Sequence, residues 1–362
     1  MRIGMRRFSR LVSMRAPAIT GAVLCAAIAL ATLSCRKNPS TPDWDTAGDA
    51  TATEVRPTPT TTSPPASSHR KKPQTQPPGP SRSAKTPSAG SLRFAAYNVE
   101  NWLTMDRFTD NQQLTNAPKP AAEKQAVIRL LVKHSPDVIG LCEIGQASDL
   151  AEIQQSLKTA GLYLPHSYYT GGSDPIRHLG FLSRFPITSR AKPAETEFHL
   201  RGRTFGINRG ILDATITARG KSYRFLGVHL KSKRQVEEAD QEQMRIHEAR
   251  LLRRHVDAIL QADPRARLIV YGDFNDTRPS KAFKTVTGSY NDPGYLTAIP
   301  FKDSRGEAWT HHWALHDIYS RIDFVTVTRA LRPEVDFEGS YLIDDPGWDQ
   351  ASDHRPMLAI FK

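Results

Sequence analysis

Cysteine is nearly absent: three in 362 residues, at positions 25, 35 and 142. Cys25 lies in an N-terminal apolar run and Cys35 at its end, so only Cys142 falls in a segment able to fold around a core. This excludes an intradomain disulfide framework and a thiolate zinc site. Thiol catalysis would rest on Cys142 alone, and within VIGLCEI a buried strand cysteine is the simpler reading. No internal repeat is visible, which argues against solenoids and propellers. Acids are missing from residues 1–15, which carry five arginines, and large apolar side chains are nearly missing from residues 36–90. The net charge of +12 is lopsided. Residues 1–90 hold 13 Lys and Arg against 4 acids, whereas residues 91–362 hold 36 against 33. A domain this close to neutral is no nucleic-acid binder by bulk charge, so any anion preference must come from local clusters.

The basic start and the apolar run from Ala16 to Ser34 read as an export signal. TLSC, with Leu30 and Leu33 upstream, is similar to a bacterial lipoprotein signal with Cys35 as the lipidated residue, although Thr32 stands where leucine is usual. A cleaved secretory signal and an uncleaved anchor are the alternatives, and Pro17 weakens the anchor. Residues 36–90 are rich in Pro, Thr, Ser, Lys and Arg and cannot bury enough surface to offset their ordering entropy. They are expected to form an extended tether holding a domain away from a membrane or wall. The expected organisation is a signal over 1–35, a tether over 36–90 and one domain over 91–362.

Within the domain, SLRFAAYN reads as a strand ending at Asn98, AAEKQAVIRLLVKH as an amphipathic helix, and DVIGLCEI as the next strand. A second helix is expected from Asp149 to Ala160, a strand from Leu179 to Phe185, and a turn with an extension from Pro186 to Arg190. GILDATITARG and SYRFLGVHL form a hairpin around Arg219 and Gly220. The longest helix is expected from Val236 to Gln261, and RLIVYGDFN, SRIDFVTVT and PMLAIF are later strands. Thr277 to Trp313 shows little periodicity and reads as a long functional loop. Strands that alternate with helices early and cluster later suit an α+β fold of two packed sheets with helices outside.

Polar residues stand at the ends of these apolar runs. Asn98, Glu143, His229, Asp273, Asn275, Asp323, Asp353 and His354 supply hard oxygens and two imidazoles. That donor set suits a divalent-cation phosphoesterase. Each has a plainer reading: Asp and Asn are turn residues, and a lone histidine is usually a satisfied core group. Asp273 and Asn275 are two apart and would share one side of an extended chain. Asp323, inside an apolar strand, needs a partner: His354, or else Arg321. Lys231, Lys233 and Arg209 raise the case for a phosphate near His229.

NVEN, the strand carrying Glu143, LSRFPI, HLKS, GDFN, RID and SDH occur in an order that resembles the endonuclease/exonuclease/phosphatase superfamily, the DNase I-like hydrolases. The resemblance covers most of residues 92–361. It implies a four-layer αββα sandwich and a hydrolase using Mg2+ or Mn2+, with Ca2+ as an alternative. By position it implies that Asn98, Glu143 and Asp353 hold or surround the metal. Asp273 would act as general base, and Asn275 would orient a phosphate oxygen. His354, supported by Asp323, would bind the scissile phosphate, and His229 would do likewise or protonate the leaving oxygen. Relatives support the histidine matching His229 with a glutamate; SDPIRHLGFL has none, and Asp174 is the available substitute. Arg209, Trp309 and Trp313 are candidate substrate contacts. The aromatic WTHHWALHDIY segment either stacks a base or plugs the core, and His311, His312 and His316 form a weaker zinc candidate. The expected substrate is DNA or RNA. The alternatives are a phospholipid or small phosphodiester, or a binding module that has lost catalysis. A membrane contact is expected only through the lipid anchor, and no protein partner beyond a monomer is indicated.

Overall fold

The computed structural model describes residues 90–109, 112–234 and 239–362. The expected signal peptide with Cys35, and the tether up to residue 89, lie outside the described residues. Among the described residues no helix is long and apolar enough to cross a membrane.

Two six-stranded mixed sheets carry the domain. The first runs Tyr341–Leu342, Met357–Phe361, Leu92–Trp102, Val138–Ile144, His178–Ser183, His166–Thr170. The second runs Leu296–Ala298, Asp323–Thr328, Leu268–Asp273, Lys221–His229, Ile211–Ala218, Ile187–Ala191. Each sheet has one central parallel pair with antiparallel neighbours on both sides. Parallel strands need a crossover. In the first sheet it contains helix α1 (Ala121–His134), and α2 (Ala147–Thr159) lies on the same side. In the second it contains α3 (Gln241–Ala262), accompanied by α4 (Lys281–Thr287). The two halves thus share a plan that no sequence repeat announces.

The central strands are buried on both faces, which is why they read as nearly continuous apolar runs. Phe94 and Phe181 of the first sheet meet Phe225 and Tyr271 of the second in the middle of the molecule. Gly140 is required there, because a Cβ at that position would fall 2.1 Å from the Tyr271 ring. Val127, Leu131, Ile153 and Leu157 cover the outer face of the first sheet, and Leu252, Val256 and Phe283 that of the second. The layers are therefore helix, sheet, sheet, helix, the four-layer sandwich of the DNase I-like fold.

The expected hairpin turns at Arg219 and Gly220, both left-handed with φ of 55° and 71°, as a tight right-twisting turn demands. Some expectations need correction. Residues 277–313 are not one loop: they contain α4, the edge strand Leu296–Ala298 and the short strand His311–Trp313. These pieces are too short to carry a period. Residues 187–191 form an edge strand rather than a turn with an extension. The first strand continues past Asn98 through a bulge in which Glu100 and Asn101 are left-handed. Helix α3 starts at Gln241, where Asp240 caps it by accepting from the Gln243 N–H at 2.8 Å.

Candidate active site

The four central strands bring their C-terminal ends to one side of the sandwich. Asn98, just before the bulge of its strand, and Glu143, one residue before its strand's end, belong to the first sheet, and His229 and Asp273 end the paired strands of the second. Asp323 opens the next strand, directly opposite Asp273. Asn98 bridges the two sheets. Its Nδ2 donates to Glu143 Oε1 at 3.3 Å and to Asp273 Oδ2 at 3.2 Å, and lies 3.4 Å from His354 Nε2. Its Oδ1 accepts from the Glu100 N–H at 3.1 Å. Glu143, left-handed with φ of 66°, accepts from the Asn101 N–H at 2.9 Å through its other oxygen. Asp273 and Asn275 do not share a strand face, contrary to the expectation from their spacing. The strand ends at Asp273 and Asn275 is left-handed with φ of 51°. The turn is held instead by Asp273 Oδ1 accepting from the Asn275 N–H at 2.7 Å, while Asn275 Nδ2 donates to the Leu230 carbonyl at 2.9 Å.

The two histidines differ sharply. His354 Nδ1 lies 2.8 Å from Asp323 Oδ2, and Arg321 turns away to the Ile299 carbonyl. The other nitrogen of His354 faces Asp273 and Asp353, each at 3.8 Å. Burial alone would lower the His354 pKa, but Asp323, Asp353 and Asp273 outweigh it and raise it well above the ordinary histidine value. His229 Nε2 is 3.5 Å from Asp273 and 3.9 Å from Glu143, yet its Nδ1 has no hydrogen-bond partner. Burial, then Arg209 and the charged His354, push its pKa well below the ordinary value. Neighbouring carboxylates thus favour the charged form of His354, while burial and neighbouring cations favour the neutral form of His229. Asp273 is pushed up to about 8, chiefly by burial and then by Asp323.

Asp174 does not support His229. It lies 3.2 Å from Arg209 Nε and accepts from the Ile176 and Arg177 N–H groups. Arg209 is buried, and its Nη1 makes no hydrogen bond. Trp309 is a packing group: the Arg355 guanidinium sits 3.4 Å over its ring and Trp348 meets its edge. Trp313 is exposed. The three-histidine zinc site is not assembled, because residues 311 and 312 sit side by side on a strand and diverge. His312 pairs with Asp317 at 3.0 Å and stacks on Tyr319, and His316 packs on Trp313. His311 instead stacks beside His354 at 4.6 Å and lies 3.7 Å from Asp353.

Sequence reasoning missed Glu100, whose carboxylate accepts from the Asp353 N–H at 3.1 Å. Partial burial and then Asp353 push Glu100 up to about 7. It also missed Lys119, fully buried, which donates to the Glu100 carbonyl and pairs with Glu123 at 3.1 Å. NVEN contained the signal for Glu100, since it carries an acid two residues past Asn98. Nothing local marked Lys119.

The donor set fits a divalent cation. Asp273, buried, and Glu100, half-buried, are raised to about 8 and about 7 despite His354 and Lys119 nearby, so the cluster carries more acid than base and a cation would supply the missing positive charge in place of protons. Among the described residues, two groups place ligand atoms within 4.8 Å of one another: His311, Asp353 and His354, and Asp273, Asp323 and His354. Glu143 belongs to neither, a spacing that suits a cation keeping several waters.

A family model described as "Endonuclease/Exonuclease/phosphatase family" matches residues 95–354. No curated protein matches. Among solved structures, a family protein from Leptotrichia buccalis C-1013-b is 16% identical with a TM-score of 0.52, covering 75% of this chain and 99% of that one. One from Bacteroides vulgatus is 17% identical with a TM-score of 0.52, covering 76% and 99%. The human Nocturnin catalytic domain is 16% identical with a TM-score of 0.52, covering 75% and 94%. These likenesses support the fold, and the family match adds what the fold is for: members hydrolyse phosphodiester or phosphate bonds and generally use divalent metal ions. The chain belongs to the endonuclease/exonuclease/phosphatase family.

Proposed function

We propose that this chain is an exported, surface-tethered nuclease that cleaves DNA or RNA by direct attack of water, using Mg2+ or Mn2+. The observation that carries the chemistry is the convergence of two imidazoles on Asp273, whose Oδ2 lies 3.5 Å from His229 Nε2 and 3.8 Å from His354 Nε2. Asp273 takes the proton from the attacking water, and His354, already protonated, donates to the scissile phosphate as negative charge develops. A neutral His229 is unsuited to protonating the leaving oxygen and serves as a neutral N–H donor. Arg209 adds positive charge from beneath. Asn98, Glu143 and Asp353 would hold the cation, which when bound supplies positive charge to a phosphate oxygen. Export and tethering rest on the basic start, the apolar run and TLSC.

One observation favours a second reading, a phospholipid or small phosphodiester substrate. The hairpin of His311–Trp313 and Ile318–Ser320 exposes Trp313, Leu315, Ile318 and Tyr319 beside the site. The His312 N–H ties this hairpin to the Asp353 carbonyl at 2.9 Å. Clustered large apolar side chains at a site's rim suit an interface. The test is incubation of the full-length protein with supercoiled plasmid and, separately, with phospholipid vesicles, in Mg2+ or in chelator. Metal-dependent nicking lost in His354→Ala supports the nuclease. Intact plasmid with hydrolysed lipid transfers the assignment to the second reading.

A further inference from the structure

Glu248, in the middle of α3, is fully buried, and among the described residues its hydrogen-bond donors are backbone N–H groups rather than cationic side chains. Its two oxygens accept from backbone groups instead: the Asn208 N–H at 2.8 Å and the Lys231 N–H at 2.6 Å. One turn earlier, Arg245, also buried, donates from Nη1 to the Lys231 carbonyl at 3.1 Å and from Nε to Asp276 Oδ2 at 3.0 Å. Adjacent turns of one helix thus grip the backbone of Lys231 at both its N–H and its carbonyl. Every segment so held borders a site residue. Asn208 precedes Arg209, Lys231 follows His229 by two, and Asp276 follows Asn275.

A buried carboxylate is a poor device for stability alone, since apolar packing usually does as well. Burial does push the Glu248 pKa up, against the two backbone N–H groups and Arg209. What the carboxylate provides is geometry: two acceptors at a fixed spacing on a rigid helix, each claiming a loop that no sheet ladder holds. We propose that Glu248 and Arg245 are positioning residues that set the spacing of Arg209, His229 and Asn275 around the substrate phosphate, and so govern affinity for the phosphate group. The proposal rests on the phosphodiester hydrolase reading. Glutamine is the informative substitution, because its amide presents one acceptor and one donor to two N–H groups, and the donor then opposes a donor.

The experiment compares wild type, Glu248→Gln and Arg245→Lys as full-length proteins. The measurements are kcat and KM on bis(4-nitrophenyl) phosphate with Mg2+, orthophosphate affinity by calorimetry, and amide exchange at Asn208 and Lys231. Expected are a KM and an orthophosphate dissociation constant raised about tenfold by losing one charge-assisted contact, with kcat within about threefold. Exchange at residues 208 and 231 should quicken in Glu248→Gln while the central strands stay protected. A purely structural role would lower melting temperature and the amount of active protein with KM unchanged, and that result overturns the proposal. So does unchanged exchange at both amides. Wild type inert toward the diester counts against the hydrolase reading, and orthophosphate affinity and exchange then decide the clamp independently. Should Glu248→Gln fail to fold, Arg245→Lys carries the same kinetic test.

Discussion

His354 and His229 sit at one site on the same kind of scaffold, yet their surroundings push their pKa values in opposite directions. His354 stands among Asp323, Asp353 and Asp273 and keeps its proton. His229 is buried and stands near Arg209, His354, Arg177 and Lys231, which push its pKa well below the ordinary value. Burial is common to both and acts in the same direction, so it does not distinguish them. Neighbouring charge does. The lesson is that the sandwich assigns chemical roles by what its strand ends and loops bring together: Asp273 and Asp323 of the second sheet and Asp353 of the loop before the last strand surround His354, whereas Arg209, Arg177 and Lys231 stand near His229.

The largest effect should come from removing the participants. Asp273→Ala and His354→Ala are each expected to lower kcat by about a hundredfold or more, measured on whichever phosphodiester the wild type cleaves. Next comes Asp323→Asn, which erases the contrast while leaving shape intact. A histidine whose pKa is raised loses its proton as pH climbs through that value. Without Asp323 the value falls, so the alkaline limb of the pH–rate profile should move to lower pH, with kcat at pH 8 reduced about tenfold. Arg209→Ala attacks the other side of the comparison. The His229 pKa should rise toward its ordinary value, read by NMR titration, and KM should increase about tenfold from loss of a cationic phosphate contact.

The smallest effect is a control from outside the site. Asp213 accepts from Arg224 at 2.8 and 2.6 Å and lies 2.7 Å from His255, a carboxylate–imidazole pair with no role in the chemistry. Burial would raise its pKa, but His255 and Arg224 outweigh that and lower it. A depressed carboxylate contributes stability above its unfolded value, and that contribution is lost as pH falls through the folded value. Asp213→Asn should therefore be less stable than wild type by about 1–3 kcal/mol at pH 7, with the gap shrinking below about pH 4 in denaturant titrations. Activity per folded molecule should not change.

Much of this was legible in the sequence for a simple reason. Strand ends are marked by where an apolar run meets a polar residue, and Asn98, Glu143, His229 and Asp273 all stand there. The Asp323–His354 pair was legible because a carboxylate inside FVTVT demands a partner. The misses share a cause too. Asn275 was read as extended, although a left-handed turn carries it. Glu100 has no local mark beyond its place in NVEN, because its role depends on Asp353, far along the chain. Asp174 was assigned to His229 by proximity in the chain to the expected position, and Arg209 claims it in space. The exposed apolar hairpin was hidden because Trp313, Leu315, Ile318 and Tyr319 are interrupted by His316 and Asp317 and show neither a strand nor a helix period. Contacts across long separations leave no local period to read.

The most direct test of the account is the protonation of the two imidazoles, read by long-range proton–nitrogen NMR at pH 7 on histidine-labelled protein, assigned with His229→Gln and His354→Gln. The account predicts that His354 carries protons on both nitrogens while His229 carries one. Both rings neutral, or the two states exchanged, would contradict it.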